Sequence, residues 1–256
     1  MATSETFASG DQRVEQGERL RRGISPRMLL FFVLGDILGA GIYIRIGGVA
    51  DEVGGAIWLA FLGALALAAL TAASYAELVT KYPGAGGAPL YCNKAFRSPF
   101  FTFMIAFVVL ASGIASACAA ARSFGGAYMD RLLGLDENVG RTLVIGVLFI
   151  LVISLVNFWG VSQSVKINIG LTLVELSGLL LIILIGAVTL FSGDAEPGRA
   201  LAFKEDTSAI VALLAGMAVA FYALLGFEDA VNMAEETHNP TRVFPRTLLG
   251  GLLLST

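Results

Sequence analysis

"FVLGDILGAGIYIRIGG", residues 32–48, decides how the chain is read. It lies inside an apolar run long enough to cross a bilayer, which takes about 20 mostly apolar residues. Yet the run carries a carboxylate, Asp36, and then glycines at 39 and 41. Glycine in a helix interior costs about 1 kcal/mol relative to alanine. A carboxylate near the bilayer centre costs roughly 2.5 to 3.5 kcal/mol on insertion scales. A segment that tolerates both penalties is expected to be built around a site. If the helix unwinds at Gly39-Ala40-Gly41, its freed N–H and C=O groups cannot stay unsatisfied in hydrocarbon. The break must then face protein, water or a ligand. N–H groups at a half-helix start attract a carboxylate, and freed carbonyls suit an ammonium group or a small cation. One broken helix can therefore hold both ends of an amino acid. The competing reading of the two glycines is a close helix–helix contact, a common use of small residues in membranes.

The bulk composition supports a membrane chain. Of 256 residues, 56% are hydrophobic and 14% charged, with a mean hydropathy of +0.79. Soluble domains carry about 25% charged residues. The net charge of −3 is too small to imply a nucleic-acid partner. The single histidine is His238, so histidine-based acid–base chemistry and metal ligation have little to work with. Cys92 and Cys118 read as small hydrophobic fillers. No Ser–His, HExxH or paired-cysteine pattern is present, so no catalytic residue, metal or cofactor is expected.

Apolar runs predict spans near 28–50, 54–79, 99–122, 141–160, 167–191 and 208–233, with a seventh opening at Leu248. Residues 1–27 are polar and are expected to form a solvated cytoplasmic tail. With the amino terminus inside, 11 of the 17 Lys and Arg fall on the cytoplasmic side and 6 outside, the bias expected of that topology. The first and sixth spans then insert in opposite senses. Both are interrupted, by "GDILGAG" and by "FYALLGFEDAVNMAEE" (221–236), which is the pattern of an inverted repeat with its site at the repeat interface.

Other membrane-depth residues are weighed against plainer roles. A carboxylate in a low dielectric favours its neutral form. Asp36 can thus carry a proton, meet a substrate amine or hydrogen-bond to a neighbouring helix. Gly226 is the expected break of the sixth span, with Tyr222 as the aromatic able to close over a ligand. Glu228 and Asp229 are adjacent and need not share a role. Glu175, in "LTLVELSGLLLII", has no basic neighbour in sequence and is a second proton-coupling candidate with Glu228 and Asp36. Glu77, Lys81 and Tyr82 read as a membrane-edge ion pair, and Asn157, Asn168 and Thr172 as interhelical hydrogen-bonders.

Three ordered stretches resemble the amino acid–polyamine–organocation permeases: "GDILGAGIY" (35–43), "YAELVTKYPGAGGAPLYCNKAF" (75–96) and "FYALLGFEDAVNMAEETHNPTRVFP" (221–245). The resemblance implies an all-α integral membrane protein with the leucine-transporter-type inverted-repeat fold. This chain would hold the first five-helix repeat (28–191), an extracytoplasmic loop (192–207) and the start of the second repeat (208–256), namely the sixth span and the beginning of the seventh. By the same resemblance a substrate carboxylate would meet the backbone at Leu38, Gly39, Ala40, Gly41 and Ile42. Its amino group would meet carbonyls around Tyr222, Ala223 and Gly226. The gate aromatic falls near Tyr222 and a proton-linked acid of some relatives near Glu228. Some relatives place a lysine in the fifth span where Glu175 falls here, so that lysine's mechanism does not carry over. Such permeases have about twelve spans, so the chain is expected to be an amino-terminal fragment, without the span that would complete a sodium site. The implied function is secondary transport of an amino acid or related amine across the plasma membrane by alternating access, coupled to protons or to exchange. The alternative is a non-transporting half-permease acting as an assembly or regulatory subunit.

Overall fold

A computed structural model describes residues 22–159, 161–193 and 195–256, apart from the side chains of Ala40 and of residues 161–163. Most of the expected tail lies outside the described residues. The last of it is not free: Gly23 and Ile24 donate backbone hydrogen bonds to the Glu236 carbonyl, both at 3.0 Å.

Helix α1 (Pro26–Val53) begins where Pro26 occupies the first turn and the Ser25 hydroxyl accepts from the Met28 N–H at 3.3 Å. Next come α2 (Ile57–Lys81), a short α3 (Gly87–Phe96) and α4 (Pro99–Ser123). A π-helical turn at Phe124–Tyr128 carries α4 into α5 (Met129–Leu133). Then follow α6 (Val139–Phe158), α7 (Val161–Ser192), α8 (Ala209–Ala223) and α9 (Pro240–Ser255). The described residues contain no strand, only isolated bridges at Ile24–Thr237 and Gly54–Phe203. Five helical stretches are long and apolar enough to cross a membrane. This is an all-α membrane fold.

The sixth expected span, 208–233, is a helix only to Ala223; a turn and a short 3₁₀ segment, Asp229–Met233, replace its second half. The seventh run starts earlier than Leu248, because Pro240 opens α9 with Asn239 in the left-handed region at φ 51°. Pro can stand in a first helical turn, where its missing N–H costs nothing.

The core is built on small residues. Ala60, Ala64, Ala68, Ala72 and Ala76 recur every fourth position of α2 and are all buried. That spacing places them on one helix face, and their size lets α8 and α9 approach closely. α1 runs between α7, α8 and α9, burying Leu29, Val33 and Ile37 against Phe227, Leu248 and Leu252. At one end of α1 the Ile24–Thr237 bridge ties its entry to the segment before α9. At the other, Gly55 N–H donates to Ala202 O at 2.8 Å and Trp58 Nε1 to Ala200 O at 2.8 Å. α4 and α6 lie to the side, and beyond the π turn the Asp130–Arg141 ion pair joins α5 to α6.

Candidate functional site

The α1 break is a single residue wide. Gly39 adopts φ 16° and ψ −163° while its neighbours stay helical. A helix interrupted this way loses regular partners for amides after the break and carbonyls before it. A Cβ built on Gly39 would meet nothing within 4 Å. The break thus opens onto free space.

The α8 break is wider and is held shut. α8 ends at Ala223, and Gly226 follows at φ 134°, a conformation that side-chain-bearing residues rarely adopt. A Cβ on Gly226 would stand 2.4 Å from the Asp36 carbonyl oxygen and 2.7 Å from its carbon. A Cβ on Gly41 would stand 3.3 Å from the Ala223 carbonyl oxygen. The two breaks therefore meet reciprocally, each glycine allowing the other chain's backbone to approach. No backbone N–H among the described residues donates to the carbonyls of Ala223, Leu224 or Leu225. The Glu228 carboxylate caps this turn, its Oε2 accepting from Gly226 N–H at 2.8 Å, while Asp229 N–H donates back to Gly226 O at 3.0 Å.

Asp36 sits at this junction. Its Oδ2 is buried and accepts no hydrogen bond among the described residues. Asp36, Gly41, Ala223, Gly226 and Glu228 are thus gathered at one place, as the sequence suggests they should be. Leu38 is a buried core residue, and Ile42 is half-buried. The Ala40 side chain lies outside what the structure describes. Glu175 stands on α7, half-buried, where its backbone carbonyl accepts from the Tyr43 hydroxyl at 2.9 Å. Its link to α1 therefore runs through the backbone. Tyr222 is exposed, and the Arg45 guanidinium lies 4.6 Å from its ring centroid, a cation–π pair that ties the far half of α1 to the end of α8.

Asn157, Asn168 and Thr172 lie at helix–helix contacts, where the sequence reading puts them, whereas the contact made by Arg45 escapes it. A Cβ on Gly35 would meet Thr172 Oγ1 at 2.0 Å and Asn168 Oδ1 at 2.6 Å, so α7 presses a polar pair against α1 just before the break. Thr172 Oγ1 donates to Asn168 O at 2.9 Å. Asn157 accepts from Ser164 Oγ at 2.8 Å, joining α6 to α7. Arg45 had a signal of its own, as a cation close to an apolar run and in need of a partner. The expected ion pair at Glu77 and Lys81 does not form; Lys81 Nζ instead lies 5.6 Å from the Tyr82 ring centroid.

The chain is similar to known proteins over nearly its whole length. The family described as amino acid permease matches residues 24–256, which include both breaks and the loops that tie them. The chain is 29% identical to Cationic amino acid transporter 9, chloroplastic, of Arabidopsis thaliana, over 94% of this chain and 44% of that protein. It is 28% identical to Cationic amino acid transporter 4 of Homo sapiens, over 92% of this chain and 39% of that one. It is 24% identical to the Branched-chain amino acid permease BcaP of Bacillus subtilis (strain 168), over 94% and 53% respectively. The chain thus spans about half the length of the curated relatives it matches. A broken first helix locked to a broken later one, within a match that runs from the entry of α1 to the end of α9, places the chain in the amino acid permease family.

Proposed function

We propose that the protein is a secondary active transporter for amino acids or related amines, working by alternating access. The observation that carries this reading is the reciprocal contact of the two breaks, Gly41 on Ala223 and Gly226 on Asp36. The open space at Gly39 lies beside it. A substrate carboxylate there would meet amide dipoles at the start of the second half of α1, from Leu38 to Ile42. Its ammonium group would meet the carbonyls of Ala223, Leu224 and Leu225, with Asp36 as the adjacent charge. Tyr222, held by Arg45, is the aromatic closing element.

Residues 28–191 form the first five-span repeat in this reading, 192–207 the outer loop and 208–256 the start of the inverted second repeat. The amino terminus faces the cytoplasm and the membrane is the plasma membrane. Glu228 is the proton-coupling residue of first choice, because it is a carboxylate whose hydrogen bond holds the α8 break itself. Asp36 and Glu175 are the others. The relatives include a cationic amino acid transporter and a branched-chain amino acid permease.

The test is uptake of a labelled panel of amino acids and polyamines into proteoliposomes carrying the full-length gene product, with and without an inward proton gradient. Saturable uptake of one substrate class is expected, stimulated by the gradient. Absence of uptake and of exchange across the panel would overturn the transport reading in favour of a non-transporting half-permease.

A further inference from the structure

A groove of about 510 Å³ lies between α2, α3 and α4, and its lining Tyr75 separates it from the α8 break by packing edge-on against Phe227, ring centroids 6.3 Å apart. Its walls are mostly apolar, with Leu70, Leu78, Phe96 and Ile105 among them. Ser74 also lines it, but its hydroxyl already donates to the Leu70 carbonyl at 3.2 Å. Tyr91 differs. The residue is 6% exposed, lines the groove, and its hydroxyl has no hydrogen-bond partner among the described residues. Burial, and after it the neighbouring Tyr75, push the Tyr91 phenol up to about 12, so it remains a neutral donor. A buried donor without an acceptor is costly, and a ligand oxygen would satisfy it.

The end of the groove is basic. Lys81 lies three residues beyond Leu78 on α2, and Lys94 three beyond Tyr91 on α3, so each continues the groove-lining face of its helix. Their ammonium groups converge on one ring, Lys81 Nζ 5.6 Å and Lys94 Nζ 6.0 Å from the Tyr82 centroid. Neither pairs with a carboxylate among the described residues. Two cations gathered without a counter-ion, at the end of a membrane span and at the head of an apolar groove, match an amphiphile with an anionic head and a long apolar tail.

We propose that this groove binds one anionic phospholipid, with an acyl chain between α2 and α4, the phosphate at Lys81 and Lys94, and the Tyr91 hydroxyl donating to a headgroup or ester oxygen. A zwitterionic lipid offers the same tail but no net charge for the two ammonium groups. The site is independent of the transport reading.

The test uses the purified full chain in phosphatidylcholine nanodiscs into which phosphatidylglycerol bearing a photoreactive acyl chain is titrated. Wild-type protein is expected to retain phosphatidylglycerol over phosphatidylcholine and to crosslink within residues 70–105. The paired substitution Lys81→Gln and Lys94→Gln, at exposed positions, is expected to reduce that preference about fivefold per lysine. Ala88→Phe, on the groove wall, is expected to expel the acyl chain and abolish the crosslink without changing the elution volume or helix content. Equal preference in wild type and the lysine double variant would overturn the proposal. So would crosslinks outside 70–105, or retention of neither lipid.

Discussion

The breaks at Gly39 and Gly226 solve the same problem in opposite ways. The first is one residue deep, leaves the helix running on either side, and has empty space where a side chain would project. The second ends its α-helix, runs through a turn into 3₁₀ structure, and is plugged by the backbone of α1. One glycine keeps a gap open; the other permits a contact. A pair of broken helices that both gaped would have little to hold them together, and a pair that were both plugged would leave no room for a ligand. The difference separates which glycine the fold needs from which glycine the site needs.

Substitution at Gly226 should give the largest effect. Gly226→Leu combines an unfavourable positive φ with a Cβ inside contact distance of the Asp36 carbonyl, a loss of at least about 3 kcal/mol. Folded yield in detergent, read by size-exclusion chromatography, should fall to background; a monodisperse variant at normal yield would show that the plug is dispensable. Gly41→Leu comes next. Its Cβ position lies 3.3 Å from the Ala223 oxygen, a contact that neighbours can absorb by small shifts, so insertion should survive while uptake is abolished. Normal uptake by a correctly inserted Gly41→Leu protein would break the broken-helix account.

Gly39→Ala sharpens the comparison from the other side. With nothing within 4 Å of the new methyl group, and no regular helical turn at Gly39 for helix propensity to act on, stability should change by less than about 1 kcal/mol. Uptake should drop about tenfold as the opening is filled. A thermal melt beside an uptake assay separates the two, and unaltered uptake would place the ligand elsewhere. The smallest structural effect is expected for Glu228→Gln. The amide oxygen can still accept from Gly226 N–H, so the melt should move little, within about 1 kcal/mol. The charge is gone, however, and the pH dependence of uptake should flatten. An unchanged pH profile would remove Glu228 from coupling.

Much of this arrangement was readable in advance. Membrane helices announce themselves because a bilayer demands length and apolarity of each segment by itself, and α1, α2, α4 and α6 begin and end within a few residues of the apolar runs. The glycines at 39, 41 and 226 stood out for a similar local reason, being out of place in a helix interior. The half-length α8 was harder to see. Gly226 marked where the span would break, but not that α-helix would fail to resume before Met233, because hydropathy does not register a turn that a neighbouring backbone holds in place. The Glu77–Lys81 pair failed for a tertiary reason too: the short α3 brings Lys94 to the same Tyr82 ring, and the ring faces collect the cations instead.

What the sequence by itself determined is an all-α chain of membrane-length helices with two weak points and a few carboxylates too costly to be incidental. Only the tertiary structure decided which weak point stays open. That choice rests on a contact between Gly226 and Asp36 that is distant along the chain, where the fit of one backbone against another, rather than any local propensity, sets the outcome.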